Sequence, residues 1–237
     1  MSQAPQKVAI VTRMLAHGGA ERFAALLSQI LDQLGYQVHL ITILNEIEYD
    51  YAGTLFNLGL LKEQDDSVLG RLKRAHKLKK YIQEQKFDWI IDNRNRCENI
   101  SEWLISKYFY RNARTIYMVH SYDLAFYFPR SKSLAQKIYQ NAEAILCVSD
   151  EIAQKVKREF GYQNVAVQYN PVDVARLHQL AQATSISGKF ILAYGRIDDA
   201  VKNFSLLILS YAQSILPVRG ISLYILGDGP DLAQLKA

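Results

Sequence analysis

Apolar segments of strand length alternate with longer segments of helical periodicity along most of this chain. KVAIVTRML (7–15) predicts a buried strand, and AERFAALLSQILDQLG (20–35) predicts a helix that ends at a glycine. The side chains expected to point inward from that helix are Phe23, Leu26, Leu27, Ile30, Leu31 and Leu34. Further strands are predicted at 36–44, 87–92, 114–120, 144–149 and 165–170, and further helices at 67–85, 99–110, 133–142 and 150–161. Strands that are apolar throughout are typical of a parallel sheet covered on both faces, so residues 1–169 are predicted to form a doubly wound α/β domain.

The same alternation starts again after YNPVD (169–173). Strands are predicted at 189–197 and 221–230, with a helix at 203–216 between them and another helix starting at 231. Two strands and little more than one helix cannot cover both faces of a parallel sheet. Residues 170–237 are therefore expected to form a linker and part of a second domain.

Bulk properties exclude several classes of protein. No apolar run approaches the roughly 18–20 residues that cross a bilayer, and MSQAPQKVAIV lacks the features of a secretory signal. Cys97 and Cys147 form no metal-type pair and are expected to be reduced thiols in a cytoplasmic protein. The net charge of +5 is compatible with an anionic partner but does not specify one.

Two glycines in HGGAER (17–22) lie between the first predicted strand and the first predicted helix. Gly18 and Gly19 would let the backbone approach an anion at the helix N-terminus, or they form only a tight turn. The spacing matches neither G-x-G-x-x-G nor a Walker loop.

Two later loops have the same position between a strand and a helix. YGRIDDAVKN (194–203) carries Arg196 and Lys202, which could hold one anion from both ends of the loop or be solvated surface cations. GDGP (227–230) places Gly227 and Gly229 where they approach a nucleotide or merely turn the chain.

HGGAER, VSDEIAQKV (148–156) with YNPVD, GRIDDAVKN and LYILGDGPDLAQL resemble, in this order and spacing, the retaining nucleotide-sugar glycosyltransferases of family 4. The resemblance covers essentially the whole chain. It implies the GT-B architecture, in which two Rossmann-like domains face each other and the second holds most of a nucleotide-sugar donor, here expected to be UDP-linked.

The resemblance also implies roles for individual residues. Arg196 and Lys202 would bind the donor diphosphate and stabilise the leaving group, and Gly18 and Gly19 would line the cleft beside the phosphates or the acceptor. His120 would lie beside the transferred sugar. The family needs no obligatory metal, and IDD (197–199) is not the D-x-D pair of metal-dependent transferases.

The expected function is transfer of a hexose or N-acetylhexosamine, with retention, to a glycan or lipid-linked acceptor of lipopolysaccharide or surface polysaccharide. Two features depart from the family: Asn170-Pro171 replaces the Asn-Gly of many relatives, and the family's acidic E-x7-E segment would lie beyond residue 237. The missing acidic segment favours, as an alternative, a truncated glycan- or membrane-binding remnant of such an enzyme. A nucleotide-sugar epimerase of the same two-domain architecture is a further alternative, which GGAER together with GRIDDAVKN disfavours.

RLKRAHKLKK (71–80) is strongly basic, and no acid occurs between 67 and 83. Its cations are Arg71, Lys73, Arg74, Lys77, Lys79 and Lys80. Its inward face is expected from Leu69, Leu72 and Ile82, with Ala75 and Leu78 nearby. The segment is either a solvated cationic face or a docking site for anionic lipid, and nucleic acid is disfavoured because no recognised module accompanies the charge.

HSYDLAFYFPRS (120–131) is rich in aromatic residues and begins at the candidate catalytic histidine. Tyr122, Phe126 and Tyr127, with Phe128, could stack on a sugar acceptor. They could equally pack beneath a loop.

Overall fold

The computed structural model describes residues 4–96, 99–181 and 188–236. The chain divides into two compact units, Met1–Asp173 and Val174–Ala237, which are described separately. Cys97 lies outside the described residues. Cys147 is a buried free cysteine, and burial raises the pKa of its thiol to about 11.

Within its described residues, the first unit forms a seven-stranded parallel sheet. Its strands are β1 (Lys7–Thr12), β2 (Gln37–Thr42), β3 (Thr54–Asn57), β4 (Trp89–Asp92), β5 (Arg114–Val119), β6 (Ala144–Cys147) and β7 (Val165–Val167). The spatial order is β3-β2-β1-β4-β5-β6-β7, so the direction of winding reverses between β1 and β4. Open α/β sheets bind ligands outside the carboxyl ends of the strands at such a reversal.

Helices connect these strands. They are α1 (Gly19–Gln33), α2 (Gly59–Gln64), α3 (Val68–Gln85), α4 (Asn99–Leu104), α5 (Lys132–Tyr139) and α6 (Asp150–Phe160). A π-helical turn, Ile105–Phe109, follows α4, and a 3₁₀ turn spans Leu124–Phe126. Serine hydroxyls cap the N-termini of α3, α5 and α6 by accepting from backbone amides, which explains why those helices begin where they do.

Both faces of the sheet are buried, as the apolar strands predict. Val8 and Ile10 pack in one cluster with Phe23 of α1, whereas Ala9 and Val11 point to the other face. The cluster on that other face includes residues of α3, α5 and α6, among them Leu78, Ile138 and Val156. The predicted doubly wound α/β fold is confirmed.

The inward face of α1 differs from the prediction. Phe23 is buried, and Leu27 and Leu31 are half-buried against the same cluster, as expected, but Ile30 and Leu34 are 39% and 68% exposed. The remaining buried positions are Ala24, Ala25 and Ser28, small residues that let the helix lie close to the sheet. The Ser28 hydroxyl donates to the Ala25 carbonyl and accepts from the Ala52 amide, so its burial leaves no unsatisfied polar group.

The second unit contains a pair of parallel strands. Its elements are α7 (Val174–Ala181), β8 (Phe190–Tyr194), α8 (Asp199–Lys202), α9 (Phe204–Ala212), β9 (Ser222–Leu226) and α10 (Leu232–Lys236). The helix predicted at 203–216 is instead α9, and Asn203 separates it from α8 because its backbone is left-handed (φ +53°). The helix ends at Ala212, beyond which the Ser214 hydroxyl bonds two backbone groups and competes with the helical pattern.

Candidate active site

The loop from β1 to α1 carries HGGAER at the carboxyl edge of the sheet. Gly18 is the N-cap of α1 and makes no side-chain cap. A Cβ on Gly18 would collide with the Glu21 carboxylate, whereas a Cβ on Gly19 would meet open space. The Glu21 carboxylate therefore lies over the first turn of α1, where the helix dipole favours negative charge.

Asn93 follows β4 and ties that strand to the start of α1. Its side-chain Nδ2 donates to the Ala20 carbonyl at 2.8 Å, and its backbone amide donates to the Val11 carbonyl at 2.8 Å. Only 3% of the residue is exposed. The amide side chain is thus held in one orientation, with Oδ1 pointing away from α1.

His120 follows β5 and meets that oxygen. The distance from His120 Nε2 to Asn93 Oδ1 is 2.6 Å, and the His120 and Phe23 ring centroids are 5.1 Å apart. Because Oδ1 can only accept, Nε2 carries the hydrogen and Nδ1 keeps a lone pair. Nδ1 is buried and has no hydrogen-bond partner within the described residues.

The charge state of His120 follows from its surroundings. Burial, helped by the positive charge of Arg96, lowers the pKa of His120 to about 4. The imidazole is therefore neutral at physiological pH and offers an acceptor at Nδ1.

Arg96 is the buried cation behind His120. Its Nη2 donates to the Met118 carbonyl at 2.7 Å, and its Nε donates to the Tyr139 hydroxyl at 3.0 Å. The guanidinium carbon lies 5.0 Å from the ring centre of Tyr117 and 5.3 Å from that of Tyr127. The side chain is fully buried, so these contacts hold it in place.

A second set of buried charges joins β4 to α4. Arg94 Nη2 lies 2.7 Å from Asp92 Oδ2 and 2.9 Å from Glu102 Oε2. Burial opposes ionisation of Asp92, but Arg94 and Arg96 outweigh it and lower the pKa of Asp92. Burial raises the pKa of Glu102 despite Arg94. The cluster fixes the end of β4 from which Asn93 extends.

The aromatic segment after His120 divides into exposed and buried residues. Tyr122 and Phe126 are 55% and 47% exposed, and Lys155 Nζ donates to the Tyr122 carbonyl at 2.9 Å. Tyr127 is only 3% exposed, because it packs against Arg96 and its hydroxyl contacts the backbone of His120. The prediction that Tyr127 offers its ring to an acceptor is therefore wrong, whereas Tyr122 and Phe126 stay candidates.

In the second unit, Gly227 and Gly229 bring two loops together. A Cβ on Gly227 would collide with the Gly195 carbonyl, and one on Gly229 would collide with the Ile197 carbonyl. The Ile197 amide donates to the Asp228 carbonyl at 2.8 Å. Both glycines thus have a packing reason within this unit, and their role as a nucleotide loop stays a prediction.

Arg196 and Lys202 extend from the loop that these glycines support. Both are exposed, and within the described part of the chain neither side chain makes an ion pair. Lys202 is the last residue of α8, and its Cε lies 3.9 Å from the position that a Cβ on Gly195 would occupy. The lysine side chain therefore extends back over the Arg196 loop.

The six candidate docking cations on α3 are not equivalent. Arg71, Lys73, Lys77 and Lys80 are exposed, whereas Lys79 is half-buried. Arg74 is 14% exposed and its Nη2 lies 2.7 Å from Asp66 Oδ1. Arg74 therefore has a structural role in the contact with Asp66.

The inward face of α3 was only partly predicted. Leu78 and Ile82 are buried as expected. Leu69 and Leu72 are 67% and 63% exposed, and Ala75 is exposed too. The prediction that these three point inward is wrong, because Gly70 takes the inward position in the first turns.

The model of Glycosyltransferase Family 4 matches residues 17–176, more than half of the chain, starting at the histidine of HGGAER. The chain belongs to glycosyltransferase family 4. The sequence matches none of the curated proteins.

Solved structures of GT-B glycosyltransferases are similar in fold. A glycosyltransferase from Rickettsia africae has 16% identity over 98% of this chain and 71% of its own, with a TM-score of 0.55. WaaG, a glycosyltransferase involved in lipopolysaccharide biosynthesis, has 11% identity over 97% of this chain and 65% of its own, with a TM-score of 0.58. An alpha-glucosyltransferase in complex with UDP and a 13-mer DNA has 14% identity over 98% of this chain and 60% of its own, with a TM-score of 0.61. The chain thus spans between 60% and 71% of the length of these structures, and identities this low show the fold alone.

Sequence reasoning missed Asn93, Arg96 and Glu21. The signal for the first two was the polar run DNRNR (92–96) directly after a buried strand, at the edge where ligands bind. Glu21 lies within HGGAER itself, and its signal was an acidic residue in the first turn of a predicted helix. Among the described residues, no group of three or more His, Cys, Asp or Glu side chains is placed to hold a metal ion.

Proposed function

We propose that this protein is a retaining glycosyltransferase that moves a hexose or N-acetylhexosamine from a UDP-linked donor to a glycan or lipid-linked acceptor. The observation that carries the proposal is the fixed contact of His120, Asn93 and Ala20 at the strand reversal of a family 4 domain. WaaG is described as acting in lipopolysaccharide biosynthesis and the alpha-glucosyltransferase as binding UDP, which supports this donor and this class of product.

In this proposal His120 accepts a hydrogen bond from a hydroxyl of the transferred sugar. Nδ1 has the lone pair for it, but the atom is buried, so the side chains around it must move before a sugar hydroxyl can reach it. A neutral imidazole also suits the reaction, because an imidazolium would repel the positive charge that develops on the sugar ring as the leaving group departs.

Arg196 and Lys202 receive the diphosphate. Departure of the nucleoside diphosphate builds negative charge on its phosphate oxygens, and cations already in position stabilise that charge. Arginine can bind two oxygens through parallel hydrogen bonds, and lysine supplies a compact charge. Both side chains are exposed, and Lys202 extends from the end of α8 back over the Arg196 loop, which supports this assignment.

For Gly18 and Gly19 we favour the sugar or acceptor side of the reaction over the diphosphate. The Glu21 carboxylate lies over Gly18 and would repel a phosphate brought to the first turn of α1. The same carboxylate can accept a hydrogen bond from a neutral sugar hydroxyl. A Cβ at position 18 would require the flexible Glu21 side chain to shift.

The test is transfer of radiolabelled sugar from UDP-sugars to lipid-linked glycan acceptors by wild-type protein and by Lys202→Ala. We expect the variant to lose at least about a hundredfold in rate, the size of effect seen when one such group is removed. Arg219→Ala is the matched control, because Arg219 is an exposed cation of the same unit outside the loop. Equal rates for Lys202→Ala and wild type would overturn the diphosphate assignment.

Three further measurements distinguish the proposed function from its alternatives. The anomeric configuration of the product, read by NMR, reports retention, and an inverted product would contradict it. A chelator should leave the rate unchanged, since we propose no obligatory metal. Interconversion of donor sugars without acceptor would indicate an epimerase, and acceptor binding without turnover would indicate a binding protein.

A further inference from the structure

Helix α3 turns apolar side chains outward in its first two turns. Val68, Leu69 and Leu72 are 73%, 67% and 63% exposed, although leucines in a helix of a globular protein normally face the core. None of the described helices is long and apolar enough to cross a bilayer.

The rotation of α3 that exposes them is enforced by its neighbours. A Cβ on Gly70 would collide with the Asp65 carbonyl, so the helix approaches that backbone as closely as glycine allows. Arg74 is bonded to the Asp65 carbonyl and to Asp66, and the Ser67 hydroxyl caps the helix by accepting from the Gly70 amide. Leu69 and Leu72 thus cannot turn inward without breaking these contacts.

Cations surround the exposed leucines. Leu69, Leu72, Lys73, His76 and Lys80 are all exposed. Leu72 and Lys73 lie three and four residues after Leu69, and His76 and Lys80 continue both series at intervals of three or four, so the five side chains share one face of α3. Lys73 and Lys80 reach carboxylates only at 4.0 and 3.7 Å, with their side chains 74% and 65% exposed. Such pairs contribute little, and the two ammonium groups stay available to another anion.

A cleft adjoins the same face. It has a volume of about 500 Å³ and lies between α2 and α3. Leu61 and Gln64 line it from α2, Asp65 lines it between the helices, and the α3 lining is Gly70, Leu72, Lys73, Arg74, His76 and Lys77. Leu61 and Leu72 give the cleft an apolar part that suits a hydrocarbon stem, and Lys73 and Lys77 supply cations for a phosphate, with Lys73 Nζ 4.0 Å from the Asp65 carboxylate.

We infer that α3 docks this protein on bilayers that contain anionic phospholipid. Leu69 and Leu72, with Val68, enter the boundary between headgroups and acyl chains, while Lys73, Lys77 and Lys80 bind lipid phosphates. An apolar strip flanked by lysines on a helix lying in the interface plane is the arrangement that binds such surfaces. A protein partner is a poorer match, because three apolar side chains among exposed cations fall short of the apolar core of a stable interface. The inference is independent of the transferase reaction.

Co-sedimentation with vesicles tests the docking directly. Wild-type protein should sediment with phosphatidylcholine vesicles that contain phosphatidylglycerol and stay in solution with phosphatidylcholine alone. Binding should weaken as salt is raised, because the lipid charge is screened. Salt-independent binding, or equal binding to both vesicles, would overturn the proposal.

Two variants separate the apolar and charged contributions. Leu69→Ser combined with Leu72→Ser should weaken binding at least about tenfold, since two buried side chains are lost. Lys73→Gln, Lys77→Gln and Lys80→Gln together should weaken it about a hundredfold. Because the two sets change different residues, misfolding of one leaves the other as the test.

Matched controls exist on the same chain. Leu206 and Leu209 on α9 have the same spacing and are 57% and 58% exposed, so Leu206→Ser with Leu209→Ser should leave binding unchanged. Lys132, Lys137 and Lys157 are exposed lysines of the first unit, and their replacement by glutamine removes the same charge. Equal losses in test and control variants, or a leucine variant that changes only the oligomeric state in ultracentrifugation, would refute docking through α3.

Discussion

The charged groups near His120 and those around Arg196 are held in opposite ways. In the first unit Arg96 and Asp92 are fully buried, and hydrogen bonds to neighbouring strands hold the arginine in one geometry. In the second unit Arg196 and Lys202 are exposed on a loop. Buried, fully bonded charges position other groups, whereas exposed cations can receive an anion that the chain does not supply. We therefore interpret the buried charges near His120 as groups that hold other residues in position. We interpret the exposed cations around Arg196 as groups that bind an anion.

The largest expected difference between the two regions is in stability. Arg96→Met removes a buried cation and leaves Asp92 and the carbonyls that accept from Arg96 partly unpaired. We expect a loss of about 3–5 kcal/mol in the free energy of unfolding, measured by denaturant titration. Arg196→Met is the matched change in the second unit and should stay within about 0.5 kcal/mol of wild type. Similar losses for the two variants would contradict the comparison.

The pH dependence of stability should also come from the first region. Between pH 6.5 and about 4 the unfolded chain protonates His120 while the folded protein does not, because the folded pKa is about 4. The free energy of unfolding should therefore fall by about 3 kcal/mol as the pH drops through that window, and the full stability should be present above it.

His120→Gln removes the titrating group and should flatten that part of the profile. His178→Gln, an exposed histidine of the second unit, is the control and should leave the slope as in wild type. If His120→Gln keeps the wild-type slope, another group is responsible for the pH dependence.

A third change affects the support of the binding loop. Gly227→Ala places a Cβ against the Gly195 carbonyl at a backbone φ of +152°. We expect about 1–3 kcal/mol of local destabilisation, detected as faster proteolysis within the second unit and weaker UDP binding.

Gly220→Ala is the control for backbone strain alone, since Gly220 has φ +68° with nothing near its Cβ. It should cost only about 1 kcal/mol and leave UDP binding as in wild type. The packing interpretation would be wrong if the two variants lost UDP binding equally.

The smallest effect is expected at the candidate acceptor surface. Lys155 Nζ lies 4.0 Å from the ring centre of Tyr122 and donates to the Tyr122 carbonyl. Lys155→Met should cost about 0.5–1 kcal/mol and raise the KM for acceptor while leaving the KM for donor unchanged. Lys157→Met is the control, because Lys157 is an exposed lysine of the same helix. An equal rise in both KM values would contradict the assignment of Tyr122 to the acceptor surface.

Much of the fold follows from local pattern, and the exceptions have local causes. β3 and α2 were not predicted, because β3 has only four residues at the edge of the sheet and α2 only six. Segment 99–110 was predicted as one helix, but its second half is a π-helical turn. Short elements and changes of helix type carry too few periodic positions to be recognised from one sequence.

The sequence predicted the loops of the candidate site but not the contacts between them. His120, Gly18 and Arg196 each follow a strand, so their placement at strand ends could be inferred from sequence order. Asn93 could be identified only from the fold, because its contacts reach Ala20 and His120, which lie 73 and 27 residues away along the chain.

The sequence by itself determined the parallel α/β domain, since apolar strands and amphipathic helices can bury their surfaces in few other ways. It also determined the family, through motifs in a characteristic order. Only the tertiary structure decided that Asn93 orients His120, that Tyr127 is buried on Arg96, and that Gly70 turns Leu69 and Leu72 of α3 outward. Hydrophobic periodicity reports the spacing of side chains along one element, whereas these three outcomes depend on which remote backbone that element packs against.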